Sequence, residues 1–220
     1  MVTVDELVVG DEPGAWEALE FAVEGDVCIL GDVRIRLAGT GAGKGLNGWS
    51  LRGVDAQEFD GLPTATSERA PPDGALAHPN GVIAIDHVVA ITPDLDRTIS
   101  ALQAVGLDLR RVREAPTPAG APRQAFFRLG AVILEVVQEP PEAIERGGGA
   151  RRPAFFWGFA LLSADLEATV ASLGDRVSEI RPAVQPGRRI GPPAPLSRPL
   201  GPGGADDATA PELIVRLPGS

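Results

Sequence analysis

The stretch "GVIAIDHVVAITPDLDRTISALQAVGLDL", Gly81 to Leu109, decides the fold. It opens with a short β-branched run that is typical of a buried strand. Thr92 and Pro93 then provide the N-cap and first position of a predicted helix, and Gly106 ends that helix. An imidazole, His87, interrupts the apolar run before the helix begins. His87 is therefore either a site residue or a core histidine with a hydrogen-bond partner.

Three more strands are predicted after this helix. The segments "LDLRRVRE", "RQAFFRL" and "AVILEVV" have the β-branched and aromatic content of strands, and a tight turn at Gly130 joins the last two. The block 82–138 therefore has the predicted order β-α-β-β-β.

A later block repeats the beginning of this pattern. "FWGFALLSADLEATVASLG" aligns with "IDHVVAITPDLDRTISALQAVG", so that Ser163 falls on Thr92 and Gly174 takes the part of Gly106. Repeats of this size pack as related halves around a pseudo-symmetric core. The first block also predicts a strand, a helix and three strands, the last of them "GLNGWSLRG", with a weaker match.

Breaks in composition divide the chain. One break is rich in Pro, Ala, Ser and Thr without an apolar period, and the other contains three consecutive glycines. The predicted organisation is a degenerate β-α-β-β-β module at 1–61, a linker at 62–81, the main module at 82–138, a linker at 139–153, an incomplete second module at 154–190, and a Pro/Gly-rich divergent tail at 191–220.

Charge and composition limit the partners of the chain. A formal net charge of -10 repels phosphate backbones, so we expect no nucleic-acid partner. Cys28 is the single cysteine, which excludes an internal disulfide. The N-terminal residues do not resemble an ordinary signal peptide, and no apolar run reaches the length of a membrane span. We expect a cytoplasmic protein that binds small molecules and no membrane.

Nucleophilic catalysis has little support in the sequence. The chain has no G-x-S-x-G motif and no tyrosine, and its cysteine lies in an apolar strand. The second histidine, His78, lies in the turn-like "AHPNG" and is expected at the surface or in a turn.

Two residues remain as candidates for metal chemistry, His87 and Glu135. Strand alternation places the histidine on a face with Ile85, Val89 and Ile91, and the glutamate on a face with Ile133 and Val137. A carboxylate among aliphatic side chains is costly to bury unless it binds a cation or a metal or accepts a hydrogen bond from a donor. If the two faces lie on the same side, the pair converges as a site for a divalent metal. The alternative is a structural His87, with Glu135 paired to an arginine such as Arg128.

The β-α-β-β-β block, with "IDHVVAITPDLDRTISAL" at its start and "FFRLGAVILEVV" at its end, resembles the glyoxalase-like domains of the vicinal oxygen chelate superfamily. The resemblance covers 82–190 well and 5–54 loosely. It implies an α+β fold in which paired β-α-β-β-β modules form a curved mixed sheet around a cleft. It also places His87 and Glu135 at the metal-ligand positions of the first and last strands, whereas Gly158 occupies the first-strand position of the repeat.

The same resemblance implies the kind of function. Members act on or bind small organic molecules, by metal-assisted lyase, isomerase or dioxygenase chemistry or by metal-free binding, and a decayed enzyme is a third interpretation. We therefore expect one divalent metal ion, zinc, iron, manganese or nickel, or no cofactor if the site is incomplete. Phe127, Trp157 and Phe159 are predicted to line the cleft. In a homodimer, a partner subunit would supply missing ligands.

The tail departs from the family pattern. After Ile190, ten of the next 21 residues are Gly or Pro, which cannot supply a central strand. The segment "PELIVRL" is the remaining candidate for a strand, and Glu212 within it precedes the apolar run, so it is a poor ligand candidate. A shifted reading frame would produce such a tail.

Overall fold

The structure is a computed structural model that describes residues 1–55, 58–73, 76–115, 121–174, 180–182, 189–191 and 213–216. The strands are β1 (Thr3–Val9), β2 (Val23–Glu24), β3 (Val27–Leu30), β4 (Val33–Leu37), β5 (Leu46–Arg52), β6 (Glu58–Phe59), β7 (Leu62–Thr66), β8 (Val82–Thr92), β9 (Asp108–Arg113), β10 (Gln124–Leu129), β11 (Val132–Gln138), β12 (Phe155–Ser163), β13 (Arg181–Pro182), β14 (Arg189–Gly191) and β15 (Leu213–Arg216). The helices are α1 (Pro13–Glu17), α2 (Leu95–Ala104), α3 (Pro141–Arg146) and α4 (Leu166–Leu173), with a 3-10 turn at Thr40–Ala42. None of the helices in these ranges is long and apolar enough to cross a membrane.

The strands form two mixed sheets with the same plan. The order is β2-β3-β4-β1-β5-β7-β6 in the first sheet and β13-β14-β15-β12-β8-β11-β10-β9 in the second. Each sheet is centred on an antiparallel pair, β1 with β5 and β8 with β12. Each of these first strands has a parallel partner on its other side, β4 for β1 and β11 for β8. The predicted α+β class with paired β-α-β-β-β modules is confirmed.

The first sheet differs from the prediction in where its strands belong. "GLNGWSLRG" was expected to end the first module, but β5 pairs antiparallel with β1, and β4 is the parallel strand that completes that module. Part of the predicted linker, Leu62–Thr66, forms β7 beside β5. Thr64 Oγ1 accepts a hydrogen bond from Trp49 Nε1 at 2.8 Å, which fixes this polar strand to the sheet. A Pro- and Thr-containing segment is thus held by its register with β5 and by one buried side-chain bond.

Helix α2 begins two residues later than predicted. Its N-cap is Asp94, whose carboxylate accepts a hydrogen bond from Arg97 N at 3.1 Å, while Thr92 ends β8. Thr92 Oγ1 instead accepts from Asp94 N at 3.1 Å and holds the cap in place. In α4 the cap is Asp165, and Ser163 Oγ accepts from its backbone N–H at 3.1 Å. The alignment of Ser163 with Thr92 therefore reflects one capping arrangement used twice.

The two sheets share one core. Buried apolar side chains from both sheets and from α2 and α4 form a single cluster. Aromatic pairs join the two halves: Trp16 of α1 lies 6.3 Å from Phe159 of β12, and Trp49 of β5 lies 5.0 Å from Phe156 of β12, measured between ring centroids. Since each sheet turns one face to this core, the opposite face is where a site can lie.

Two hairpin turns also lock the halves together. Gly31, between β3 and β4, has φ +61°, and a Cβ added there would lie 3.2 Å from Cβ of Ala84 in β8. Gly130, between β10 and β11, has φ +71°, and a Cβ there would lie 2.9 Å from Cγ2 of Thr3 in β1. Each turn therefore lies in close contact with the first strand of the other half, and its positive φ favours glycine.

The tail contributes to the second sheet. Leu213–Arg216, from the segment "PELIVRL", forms β15 in parallel with β12. β13 and β14 continue the sheet beyond it. The order β12-α4-β13-β14-β15 follows that of β8-α2-β9-β10-β11. Glu212 lies outside the described residues.

Candidate functional site

A β-bulge in β8 positions the candidate histidine. His87 lies opposite Ala160 of β12 and Ile85 lies opposite Leu161, so Asp86 is an extra residue on β8. A bulge bends its strand and re-aims a side chain. Asp86 and His87 consequently lie side by side, with the Asp86 Oδ2 atom 2.9 Å from Nδ1 of His87.

The bulge also corrects the predicted alternation. Ile85 was expected on the same face as His87, but it belongs to the shared core, as Val88 does. The extra residue shifts the alternation by one position, so that Ile85 and His87 point to opposite sides. We call the side of the second sheet that carries His87 and Glu135 the site face.

The predicted pair meets on the site face. In the parallel register of β8 and β11, His87 lies opposite Ile133 and Glu135 lies opposite Val89. The Nε2 atom of His87 is 3.5 Å from Oε2 of Glu135, and the two side chains are 11% and 18% exposed. Because a carboxylate accepts hydrogen bonds, Nδ1–H of His87 donates to Asp86, and Nε2 is the atom directed at Glu135.

A glutamine on β10 holds the other oxygen of Glu135. Gln124 is 8% exposed, and its Nε2 donates a short hydrogen bond to Glu135 Oε1. Its own Oε1 is buried and finds no hydrogen-bond partner in the described part of the chain. Such a buried acceptor is rare and marks a place where a donor from a ligand or water would be favourable.

The geometry of the pair fits two positions of a divalent metal shell. Metal bonds of about 2.0–2.2 Å in tetrahedral geometry separate two ligating atoms by about 3.3 to 3.6 Å. The observed separation of 3.5 Å is close to this. Asp86 provides the carboxylate that commonly orients a ligating imidazole. Among the residues the structure describes, no group of three or more His, Cys, Asp or Glu side chains could hold a metal ion.

The other half of the second sheet provides no matching side chains. Gly158 corresponds to His87, and it too follows the extra residue of a bulge. Glu135 lies opposite the residue two positions after His87, and Ile214 lies opposite Ala160, two positions after Gly158. Glycine and isoleucine have no ligating atoms in their side chains.

The predicted aromatic residues are distributed over both faces. Phe127 and Phe159 are 0% and 3% exposed and belong to the core, so they do not share the site face. Trp157, the extra residue of the β12 bulge, is 42% exposed. The aromatic side chain that sequence reasoning missed is Phe126, which lies opposite Glu135. The run "FF" signals an aromatic on each face, but only the strand register identifies which one lies beside Glu135.

The second histidine has a structural position. His78 begins a turn, as predicted, because Gly81 N donates to its carbonyl oxygen at 2.9 Å, but its side chain is buried, with 6% exposed. Its Nδ1 accepts from Ala22 N at 3.0 Å, and its Nε2 lies 2.7 Å from Ile29 O, to which it donates. His78 therefore ties the segment before β8 to the first sheet.

The first sheet has an equivalent of the site with different residues. Glu6 lies opposite Ser50 and Val4 opposite Leu51, so Asp5 is the extra residue of a bulge in β1. Glu6 takes the place of His87. Arg36 takes the place of Glu135, since it lies opposite the residue two positions after Glu6. The two form an ion pair, with Arg36 Nε 3.0 Å from Glu6 Oε1.

Asp5 is surrounded by cations. Its side chain is fully buried and forms ion pairs with Arg34 and Arg52 at 2.5 Å each and with Arg69 at 2.7 Å. Ser67 Oγ donates to it at 2.7 Å. Burial raises the pKa of Asp5, but the hydrogen bonds from Ser67 and Arg69 and the charges of Arg52 and Arg69 outweigh burial and lower the pKa below its ordinary value. This network occupies the face of the first sheet that corresponds to the site face of the second sheet.

Comparisons with known proteins agree with this plan. No protein-family model matches the sequence. No curated protein sequence matches it significantly. Among solved structures, a xylose isomerase-like TIM barrel/4-hydroxyphenylpyruvate dioxygenase fusion protein is similar with a TM-score of 0.58 and 14% identity over 98% of this chain and 48% of the fusion protein. The chain thus spans about half the length of that protein.

Smaller proteins match part of the chain. Methylmalonyl-CoA epimerase from Mycobacterium tuberculosis is 18% identical, with a TM-score of 0.44 over 64% of this chain and 91% of its own. The hypothetical protein BH1468 from Bacillus halodurans is 15% identical, with a TM-score of 0.40 over 60% of this chain and 91% of its own. The duplicated sheets and the full-length structural match show that the chain has the glyoxalase-like, vicinal oxygen chelate fold that its sequence predicts.

Proposed function

We propose that the chain binds a small organic molecule at the site face, with His87 and Glu135 holding a divalent metal ion there. The observation that supports this most is the convergence of His87 Nε2 and Glu135 Oε2 to 3.5 Å on neighbouring strands. The reaction class we propose is metal-assisted lyase, isomerase or dioxygenase chemistry on a substrate with neighbouring oxygens. A bound metal would supply Lewis-acid polarisation of those oxygens.

The protein residues orient and desolvate the site. Asp86 holds the His87 ring by its Nδ1–H, and Gln124 holds Glu135 by one oxygen, so that Nε2 and Oε2 keep their mutual position. Aliphatic side chains around them limit water, since Val89 is buried and Ile133 is half-buried. In such surroundings electrostatic interactions are stronger than in water.

Metal titration tests the proposal. After removal of metals with EDTA, calorimetric titration with zinc, manganese, nickel or iron(II) should give stoichiometric binding by the wild-type protein. The variants His87→Ala and Glu135→Ala should each lose affinity by at least about 100-fold, because even residues that only orient ligands are worth 10 to 100-fold. Glu142→Gln, an exposed acid in α3, is the matched control and should bind as the wild type does. Absence of binding by the wild type, or an equal loss in the control, would overturn the proposal.

A second candidate function is metal-free binding of a small molecule. Gly158 and Ile214 favour it, because the two positions that correspond to His87 and Glu135 in the other half of the second sheet have no ligating side chain. The probe 3,4-dihydroxybenzoate, which has two neighbouring oxygens, separates the candidates. EDTA should weaken its binding under the metal proposal and leave it unchanged under this alternative.

A homodimer would complete the metal shell from a second subunit, as we expect from the sequence. Light-scattering mass measured together with the metal content per chain tests this part. A monomer that binds one metal per chain would contradict it.

A further inference from the structure

The outer strands of the site face present a row of arginines. Phe126 lies between Glu135 and Arg111, and Gln124 lies opposite Arg113. Directly opposed residues on neighbouring strands point to the same side of a sheet. Cζ of Arg111 lies 5.4 Å from the centroid of the Phe126 ring, which confirms that this arginine covers the site face.

A third arginine lies on the same face. Arg128 on β10 lies opposite Ile133, whose neighbour in β8 is His87. It is two residues from Phe126 and therefore points to the same side. The three guanidinium groups thus border the His87 and Glu135 pair from the β9 and β10 side.

These three arginines lack acidic partners. Within the residues described, Arg111, Arg113 and Arg128 form no ion pair. Neighbouring arginines behave differently: Arg110 pairs with Asp108 at 3.1 Å, and Arg123 pairs with two carboxylates at 2.9 and 2.7 Å. In a chain with a formal net charge of -10, this uncompensated row is a local positive surface.

We infer that the ligand of this site carries an anionic group, a carboxylate or a phosphate, bound by Arg111, Arg113 and Arg128. This inference rests on the proposed function for the location of the ligand. Strands are spaced by about 4.8 Å, so the backbone of Arg111 lies about 10 Å from that of Glu135. Phe126 occupies the space between them. The ligand therefore extends across this face, with its oxygens at the His87 end and its charged group within reach of the arginines.

Arginine suits this role because its planar guanidinium binds carboxylate and phosphate through two parallel hydrogen bonds. The Cζ atom of Arg111 lies within cation–π distance of the Phe126 ring, and this contact positions the guanidinium on the site face. Arg113 lies opposite Gln124, the residue with the unpartnered buried oxygen. A positive guanidinium and a hydrogen-bond acceptor therefore lie on neighbouring strands at the same end of the site.

Matched probes test the inference. We expect the wild-type protein to bind 3,4-dihydroxybenzoate at least about tenfold more tightly than 3,4-dihydroxybenzamide, which has the same shape without the charge. The double variant Arg111→Gln, Arg113→Gln should reduce this preference to less than about threefold. Arg110→Gln is the matched control, because Arg110 is on the same strand but paired with Asp108, and it should retain the preference. Competition by inorganic phosphate distinguishes a site selective for phosphate from one selective for carboxylate.

Equal binding of acid and amide by the wild type would overturn the inference, as would equal loss in the Arg110→Gln control. Measuring the two probes with and without added metal separates this outcome from failure of the proposed function. A charge preference that persists without any metal binding supports the arginine site and contradicts only the metal site. Metal binding without a charge preference supports the metal site and contradicts the arginine site.

Discussion

Strands β1 and β8 occupy the same place in two sheets of the same plan, and each has one extra residue, an aspartate, at the same point. In β8, Asp86 holds a histidine that faces Glu135. In β1, the residue after the bulge is Glu6, and an arginine replaces the second partner. The comparison shows that both sheets have the bulge, while the residues that follow it differ: one face carries the ion pair of Glu6 and Arg36, and the other carries His87 and Glu135.

The largest effect is expected from Asp5→Asn in the first sheet. This change leaves Arg34, Arg52 and Arg69 around a neutral side chain, and removing one partner of a buried ion network costs about 3 to 5 kcal/mol. Urea unfolding measures the loss. Asp86→Asn, at the equivalent bulge, should cost much less, and equal losses would show that both aspartates serve the fold alone.

Asp86→Asn should act on the proposed metal site instead. Asparagine offers a weaker acceptor to Nδ1 of His87, and losing such an orienting carboxylate typically lowers metal affinity by about 10 to 100-fold. Calorimetric titration with zinc measures this change. Unaltered affinity would mean that Asp86 does not orient the ring, and the exposed Glu142→Gln variant serves as the control.

Asp5 should also make the stability of the whole chain sensitive to acid. Because the pKa of Asp5 is lowered in the folded state, the unfolded chain binds more protons as the pH falls below the ordinary aspartate value of about 3.9. The stability contributed by Asp5 is present above that value and is lost as the pH falls through the lower, folded pKa. Urea unfolding of the wild type between pH 7 and pH 2.5 should show a steeper fall than that of Asp5→Asn. Parallel curves would contradict this expectation.

The smallest effect on stability is expected when the His87 and Glu135 pair is replaced by the kind of ion pair found in the first sheet. His87→Glu combined with Glu135→Arg reproduces the Glu6 and Arg36 pair in the second sheet. Partly exposed ion pairs are worth about 0 to 1 kcal/mol, so urea unfolding should change little while zinc binding is lost. Retained zinc binding would place the metal elsewhere, and a large loss of stability would mean that the bulged strands are not interchangeable.

Much of this arrangement could be predicted from sequence. The strands around His87 and Glu135 are apolar and β-branched, and a helix was predicted after β8 and after β12, although the N-cap of α2 is Asp94 and not Thr92. Parallel pairing of the first and last strands then brings the histidine and the glutamate together. These features depend on the local pattern of apolar residues and on the β-α-β-β-β topology.

The remaining features depend on register, which a single sequence does not encode locally. A bulge at Asp86 reverses the side to which Ile85 points, and no composition signal marks it. Phe126 and Phe127 are adjacent and chemically identical, so only pairing with Glu135 separates them. The strand Leu62–Thr66 has a proline and two threonines and joins a sheet because of long-range partners.

The reciprocal glycine turns have a consequence for how the molecule comes apart. Gly31 sits against β8 and Gly130 against β1, so each half forms part of the other's surface. Separating them would expose Trp16 and Phe159 together. Neither half should therefore melt alone, and the chain is expected to unfold in one cooperative step despite its duplicated plan.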